Sequence, residues 1–130
     1  MWDAGQGDGA ARVAGKRILV VEDEMIVAML IEDILTDAGA TVLGPAARVA
    51  RALDLLGEVD GVDAALLDVN LAGEMTTPVA EELRRRGIPF AFATGYGAAG
   101  VPDGFAGQPL LQKPFQEQDL NRVMAEVLAR

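Results

Sequence analysis

The sequence has no cysteine and no histidine. The first absence excludes disulfides and thiolate metal sites, and the second removes the usual zinc ligand and general base. Any chemistry must run on carboxylates, hydroxyls, amides and lysine. Basic residues are also scarce, 11 against 20 acidic ones for a net charge of −9, a field that repels nucleic-acid phosphates and anionic membranes. Neither nucleic acid nor membrane is therefore an expected partner. No apolar run approaches the roughly 18 residues of a membrane span, and the N-terminus lacks a signal peptide's hydrophobic stretch. The expected location is cytoplasmic.

The chain's 130 residues, about half of them apolar, suffice for one domain with its own core. Residues 1–15 are rich in Gly, Ala and Asp without apolar period and read as a flexible tail. The domain then occupies residues 16–130. Ile18-Leu19-Val20-Val21 is a buried-strand pattern, and Val27, Leu30, Ile31, Ile34 and Leu35 recur at helical spacing until Gly39. A strand over Ala40–Leu43, a turn at Gly44-Pro45 and a helix marked by Val49, Leu53 and Leu56 follow. Ala64–Leu67 is a third strand. Thr77-Pro78 supplies the N-cap and first-turn proline of a helix to Arg86, whose Arg84-Arg85-Arg86 cluster suits the helix dipole. A fourth strand spans Pro89–Ala93, and residues 95–109, with five glycines, allow at most a short helix. Leu110–Gln112 is a fifth strand, and Leu120, Val123, Met124, Val127 and Leu128 stripe a closing helix. Strands alternating with helices predict a five-stranded parallel sheet covered on both faces, a doubly wound α/β domain.

Four of these apolar runs end in polar residues: Glu22 and Asp23, Asp68, Thr94, and Lys113. In a doubly wound sheet ligands bind beyond the carboxyl ends of the strands, which is where these residues fall. Three carboxylates gathered there repel by several kcal/mol at intermediate dielectric unless a cation or a proton offsets them. A hard divalent ion such as Mg2+ suits their oxygens. From Arg17 onward Lys113 is the only lysine, and a compact point charge serves such a site better than a planar guanidinium. Singly, each residue also reads as a cap: Asp68 of a loop, Glu22 or Asp23 of the first helix, Thr94 of local backbone. Independent caps have no reason to reproduce this order and these residue types.

The set Val20-Val21-Glu22-Asp23-Glu24, Leu67-Asp68-Val69-Asn70, Ala93-Thr94-Gly95 and Gln112-Lys113-Pro114-Phe115 resembles the receiver domain of two-component response regulators, over all but the tail. Phe92-Ala93-Thr94-Gly95-Tyr96 is similar to the segment that names the FATGUY subgroup, many of whose members are single-domain proteins. The resemblance implies the flavodoxin-like strand order 2-1-3-4-5. It makes Asp68 the phosphoryl acceptor, supplied by a histidine kinase or histidine phosphotransfer protein, with phosphorylation switching an interaction with a downstream protein. Glu22, Asp23 and Asp68 would hold Mg2+, Asn70 would add its backbone carbonyl with its side chain free to influence water, and Thr94 and Lys113 would bind the phosphoryl group. Pro114 implies a cis peptide after Lys113. Such a protein catalyses its own phosphorylation and dephosphorylation without a separate substrate, and so is not an enzyme in the ordinary sense.

Two departures stand out. Leu110 occupies the place of a Tyr or Phe that swings inward on activation in many receivers, and Ala72-Gly73 replace a common Pro-Gly. Output is therefore expected through residues 95–109, with Tyr96 shielding the acyl phosphate. Two rivals remain in view. One is a receiver-like binding module that signals without phosphate. The other is a metal-dependent phosphohydrolase, which would want a second acid where Asn70 stands. The Gly95–Gly100 stretch fits G-x-G-x-x-G, but it lies outside the first βαβ unit and the following prolines and glycines oppose the firm helix that a dinucleotide needs.

Overall fold

The computed structural model describes residues 12–130. In chain order the elements are β1 (Arg17–Val21), α1 (Met25–Asp37), β2 (Thr41–Ala46), α2 (Val49–Glu58), β3 (Ala64–Asp68), β4 (Asn70–Leu71), β5 (Glu74–Met75), α3 (Thr77–Arg86), β6 (Phe90–Thr94), a 3-10 turn (Gly97–Gly100), β7 (Leu110–Gln112) and α4 (Glu117–Leu128). The main sheet is parallel throughout, in the order β2-β1-β3-β6-β7. That is the expected 2-1-3-4-5 arrangement, with the small antiparallel hairpin β4–β5 inserted after the central strand.

The two-residue period of a strand sorts each apolar run onto opposite faces. Leu19, Val21, Ala65, Leu67, Phe90 and Phe92 pack with α2 and α3, while Ile18, Val20, Ala64, Leu66, Ala91 and Ala93 pack with α1 and α4. Strands clad on both sides must be apolar at every position, which is why they read as unbroken runs. The stripe on α1 is narrower than its spacing predicts: Ala28, Ile31, Ile34 and Leu35 are buried, but Leu30 is exposed beside Met25, Ile26 and Met29.

Three local differences from the sequence reading have physical causes. The tail expected over residues 1–15 falls mostly outside the described residues, yet Val13 is fully buried against the α1–α4 face and the Gly15 N–H donates to the Gly39 carbonyl at 2.9 Å. The turn expected at Gly44-Pro45 is instead a bulge within β2. Leu19 pairs with Leu43 and Val21 with Ala46, so one extra residue is absorbed across a cis Gly44–Pro45 bond. Gly44 has φ +95°, and a Cβ there would lie 2.9 Å from the Val20 carbonyl oxygen. The N-cap of α3 is Thr76 rather than Thr77, and its hydroxyl turns away from the helix.

Residues 95–109 form only the expected short turn before β7. They are nevertheless pinned by Phe105, which is buried against Phe90 and Phe92 at ring separations of 6.0 and 5.9 Å. The Arg84 guanidinium lies 4.0 Å over the Phe105 ring and donates to the Gly104 carbonyl at 2.7 Å, joining a cation–π contact to a hydrogen bond.

Candidate functional site

Parallel register delivers the polar residues to one place. Val21 pairs with Leu67, Asp68 with Ala93 and Thr94 with Gln112, so the carboxyl ends of β1, β3, β6 and β7 stand side by side. Asp68, Asn70, Met75, Thr94, Tyr96 and Lys113 line a cavity of about 600 Å³ over these ends. Glu22, Asp68 and Thr94 are buried polar residues in a chain whose buried side chains are otherwise nearly all apolar among the described residues.

Glu22, Asp23 and Asp68 each offer a carboxylate oxygen within 4.8 Å of the others. The Lys113 ammonium donates to Glu22 Oε1 at 2.7 Å and to Asp68 Oδ2 at 3.3 Å. The second Glu22 oxygen, Oε2, accepts the Glu24 N–H at 3.0 Å. Burial, followed by the charge of Glu22, pushes the Asp68 carboxyl up to about 7, against the opposing pull of Lys113. Burial works to lower the Lys113 pKa, but the Glu22 hydrogen bond and the charges of Asp68 and Glu22 outweigh it and hold it above its ordinary value. The two directions agree with the distances. The ammonium sits closer to Glu22, so Asp68 is left under-compensated.

Thr94 Oγ1 accepts the Tyr96 N–H at 3.0 Å, while the Tyr96 ring is 84% exposed at the cavity rim. Leu110 is half-buried in β7 against the α2–α3 core, and the Lys113–Pro114 bond is cis. The Asn70 side chain is not free, contrary to expectation. Its Oδ1 accepts the Gly73 N–H at 2.6 Å and its Nδ2 donates to Met75 Sδ at 3.4 Å, closing the hairpin turn.

No protein-family model matches the chain. Among curated proteins it is 40% identical over 128 residues to the transcriptional regulatory protein TcrA of Mycobacterium tuberculosis, covering 90% of this chain and 48% of TcrA. It is 34% identical over 118 residues to the transcriptional regulatory protein YrkP of Bacillus subtilis, covering 85% of this chain and 49% of YrkP. The chain thus spans about half the length of the curated relatives it matches. Among solved structures, SdrG of Sphingomonas melonis superposes with TM-score 0.78 at 44% identity, over 89% of this chain and 98% of SdrG. The BeF3-activated conformation of SdrG superposes at 0.75 with 46% identity, over 88% and 98% of the two chains. The receiver domain of the Erythrobacter litoralis response regulator PhyR matches at 0.77 with 26% identity, over 89% and 92%. This chain belongs to the response regulator receiver family.

The donor set of this receiver suits the metal that the family implies. Three carboxylates facing one ammonium leave a formal surplus of two negative charges when all are ionised, and the charge of Glu22 adds to burial in raising the Asp68 pKa. A divalent, oxygen-seeking ion balances it.

Two residues that hold the segment after Asp68 in place were not singled out in the sequence. Thr76, fully buried, donates its hydroxyl to the Asp68 carbonyl at 2.6 Å and so closes the loop that follows Asp68. The Thr76-Thr77-Pro78 run carries a signal, but helix-cap logic assigns it to the wrong threonine. Glu74 reaches from the hairpin to the start of α2, where its Oε1 accepts the Val49 N–H at 3.0 Å and Arg48 Nε at 3.2 Å. These bonds, the Val49 N–H first and Arg48 second, hold its carboxyl below the usual range. Nothing in the sequence links Glu74 to a helix that starts 25 residues earlier.

Proposed function

We propose that this receiver accepts a phosphoryl group on Asp68 from a histidine kinase or a histidine phosphotransfer protein in the cytoplasm, in a Mg2+-dependent reaction, and that the modification switches binding to a downstream protein. The observation that carries the reading is the Asp68 carboxylate in the cavity, with Lys113 at 3.3 Å on one side and the Glu22–Asp23 acids on another. The BeF3-activated SdrG structure supports it, since that relative is 46% identical and takes an activated conformation with a phosphoryl-like group.

In the transfer, an Asp68 carboxylate oxygen attacks phosphorus and forms the acyl phosphate as the donor's N–P bond breaks, its electron pair returning to the imidazole. Little covalent help is needed. The equatorial oxygens must be neutralised and the carboxylate aligned. Lys113 would pair with one phosphoryl oxygen and Thr94 would donate its hydroxyl to another. Glu22, Asp23 and Asp68, joined by the Asn70 carbonyl, would hold Mg2+, which when bound neutralises phosphoryl charge and relieves the repulsion among the acids. Thr76 keeps the Asp68 backbone fixed through its carbonyl. Hydrolysis reverses the modification when water attacks phosphorus and the Asp68 carboxylate departs. Because the protein is itself the substrate of both steps, it is not an enzyme in the ordinary sense. Tyr96 at the cavity rim shields the acyl phosphate, so Tyr96→Ala should shorten its half-life.

Intact mass before and after incubation with acetyl phosphate and Mg2+ tests the proposal. One phosphoryl increment on the wild type, absent without metal and absent in Asp68→Asn, is expected. A wild type that stays unmodified with metal present would instead support a binding module that signals without phosphate.

A further inference from the structure

Gly100 lacks a side chain for a reason that its backbone does not supply. Its φ lies outside the left-handed region, unlike that of Gly97 at +60° in the same turn. What forbids a side chain is Thr94: a Cβ at position 100 would lie 2.8 Å from Thr94 Oγ1 and 3.3 Å from Tyr96 Cβ. The first distance is well inside van der Waals contact. The 3-10 turn therefore folds its last residue against the hydroxyl and leaves it room to accept the Tyr96 N–H.

Thr94 is only 3% exposed and its backbone is held in β6 between β3 and β7. A hydroxyl displaced from Gly100 can turn into the cavity that Thr94 and Gly100 share with Asp68 and Lys113. We infer that Gly100 is a positioning residue for Thr94: its bare Cα makes the seat in which the hydroxyl rests on the Tyr96 N–H, and it thereby sets how readily that hydroxyl turns to a phosphoryl group on Asp68. The inference rests on the phosphoacceptor reading above. A methyl at position 100 raises the energy of the resting orientation and leaves the turned one alone. A ligand that binds the turned orientation then meets a larger competent population and binds more tightly.

The test is the affinity of beryllofluoride with Mg2+, measured by titration calorimetry on wild type, Gly100→Ala, Thr94→Ala and the double variant. Gly100→Ala should bind several-fold more tightly than wild type. In the Thr94→Ala background, where no hydroxyl remains to be displaced, the same substitution should change nothing, an outcome that a general effect on turn stability would not give. Gly100→Ser should act in the same direction as alanine and serves if the alanine variant folds poorly. Without any ligand, amide hydrogen exchange at Tyr96 should be faster in Gly100→Ala, because its acceptor has moved. Unchanged or weaker binding by both Gly100 variants, or an equal gain with Thr94 removed, would overturn the inference while leaving the phosphoacceptor reading intact. Failure of the wild type itself to bind beryllofluoride would instead remove that reading, and the inference with it.

Discussion

Replacing Asp68 by asparagine keeps the shape of the side chain and removes its charge, and without divalent metal the variant should be the more stable protein at neutral pH. Burial, and after it the Glu22 charge, raise the Asp68 carboxyl from 3.8 to about 7 in the folded state. Between about pH 4 and pH 7 the folded protein therefore holds a proton that the unfolded chain has released. Stability must fall as pH rises through that window, and the penalty is complete above it. A displacement of this size corresponds to at most about 4 kcal/mol. Asp68 faces an open cavity and shares its protons with Glu22 and Lys113, so we expect about 1–2 kcal/mol. Urea unfolding in EDTA measures it: Asp68→Asn should show the higher midpoint at pH 8, the two proteins should converge near pH 4, and the slopes should match. If the acids hold Mg2+ as proposed, adding it should stabilise the wild type more than the variant, whose ligand set has lost a carboxylate. If Asp68→Asn were no more stable than wild type at pH 8 in EDTA, the acids would not be in electrostatic conflict and the case for a divalent ion would lose its basis.

Thr76→Val should cost about 1–3 kcal/mol by urea unfolding, since it strips a buried hydroxyl from the Asp68 carbonyl and leaves that oxygen short of a donor. On the proposed function it should also slow phosphorylation by loosening the loop after Asp68, read as the rate of mass gain with acetyl phosphate. Phe105→Ala should cost about 3–5 kcal/mol, the usual range for emptying a buried aromatic site, and should raise hydrogen exchange across residues 95–109 above that of the rest of the sheet. Ala72 has φ +52° at the first position of the two-residue β4–β5 turn. Asparagine tolerates that conformation better, so Ala72→Asn should raise the unfolding midpoint through a gain in stability of up to about 1 kcal/mol.

The order of the elements, the two-sided sheet and the gathering of Glu22, Asp23, Asp68, Thr94 and Lys113 were all legible in the sequence. Strand burial and helix periodicity are local signals, and a parallel sheet must bring the ends of its strands to one edge. The order of the residues at those ends was therefore enough to sketch the site. Tertiary structure alone decided how they share charge and space. Lys113 lies nearer Glu22 than Asp68, Thr76 rather than Thr77 closes the loop after Asp68, and Glu74 caps a helix whose start precedes it by 25 residues. Phe105 pins a segment whose glycines suggest looseness, and Gly100 is small because Thr94 is near. Each of these depends on contacts of a few ångströms between residues far apart in the chain or turned toward each other by a fold-back, and such contacts leave no periodic trace in a sequence.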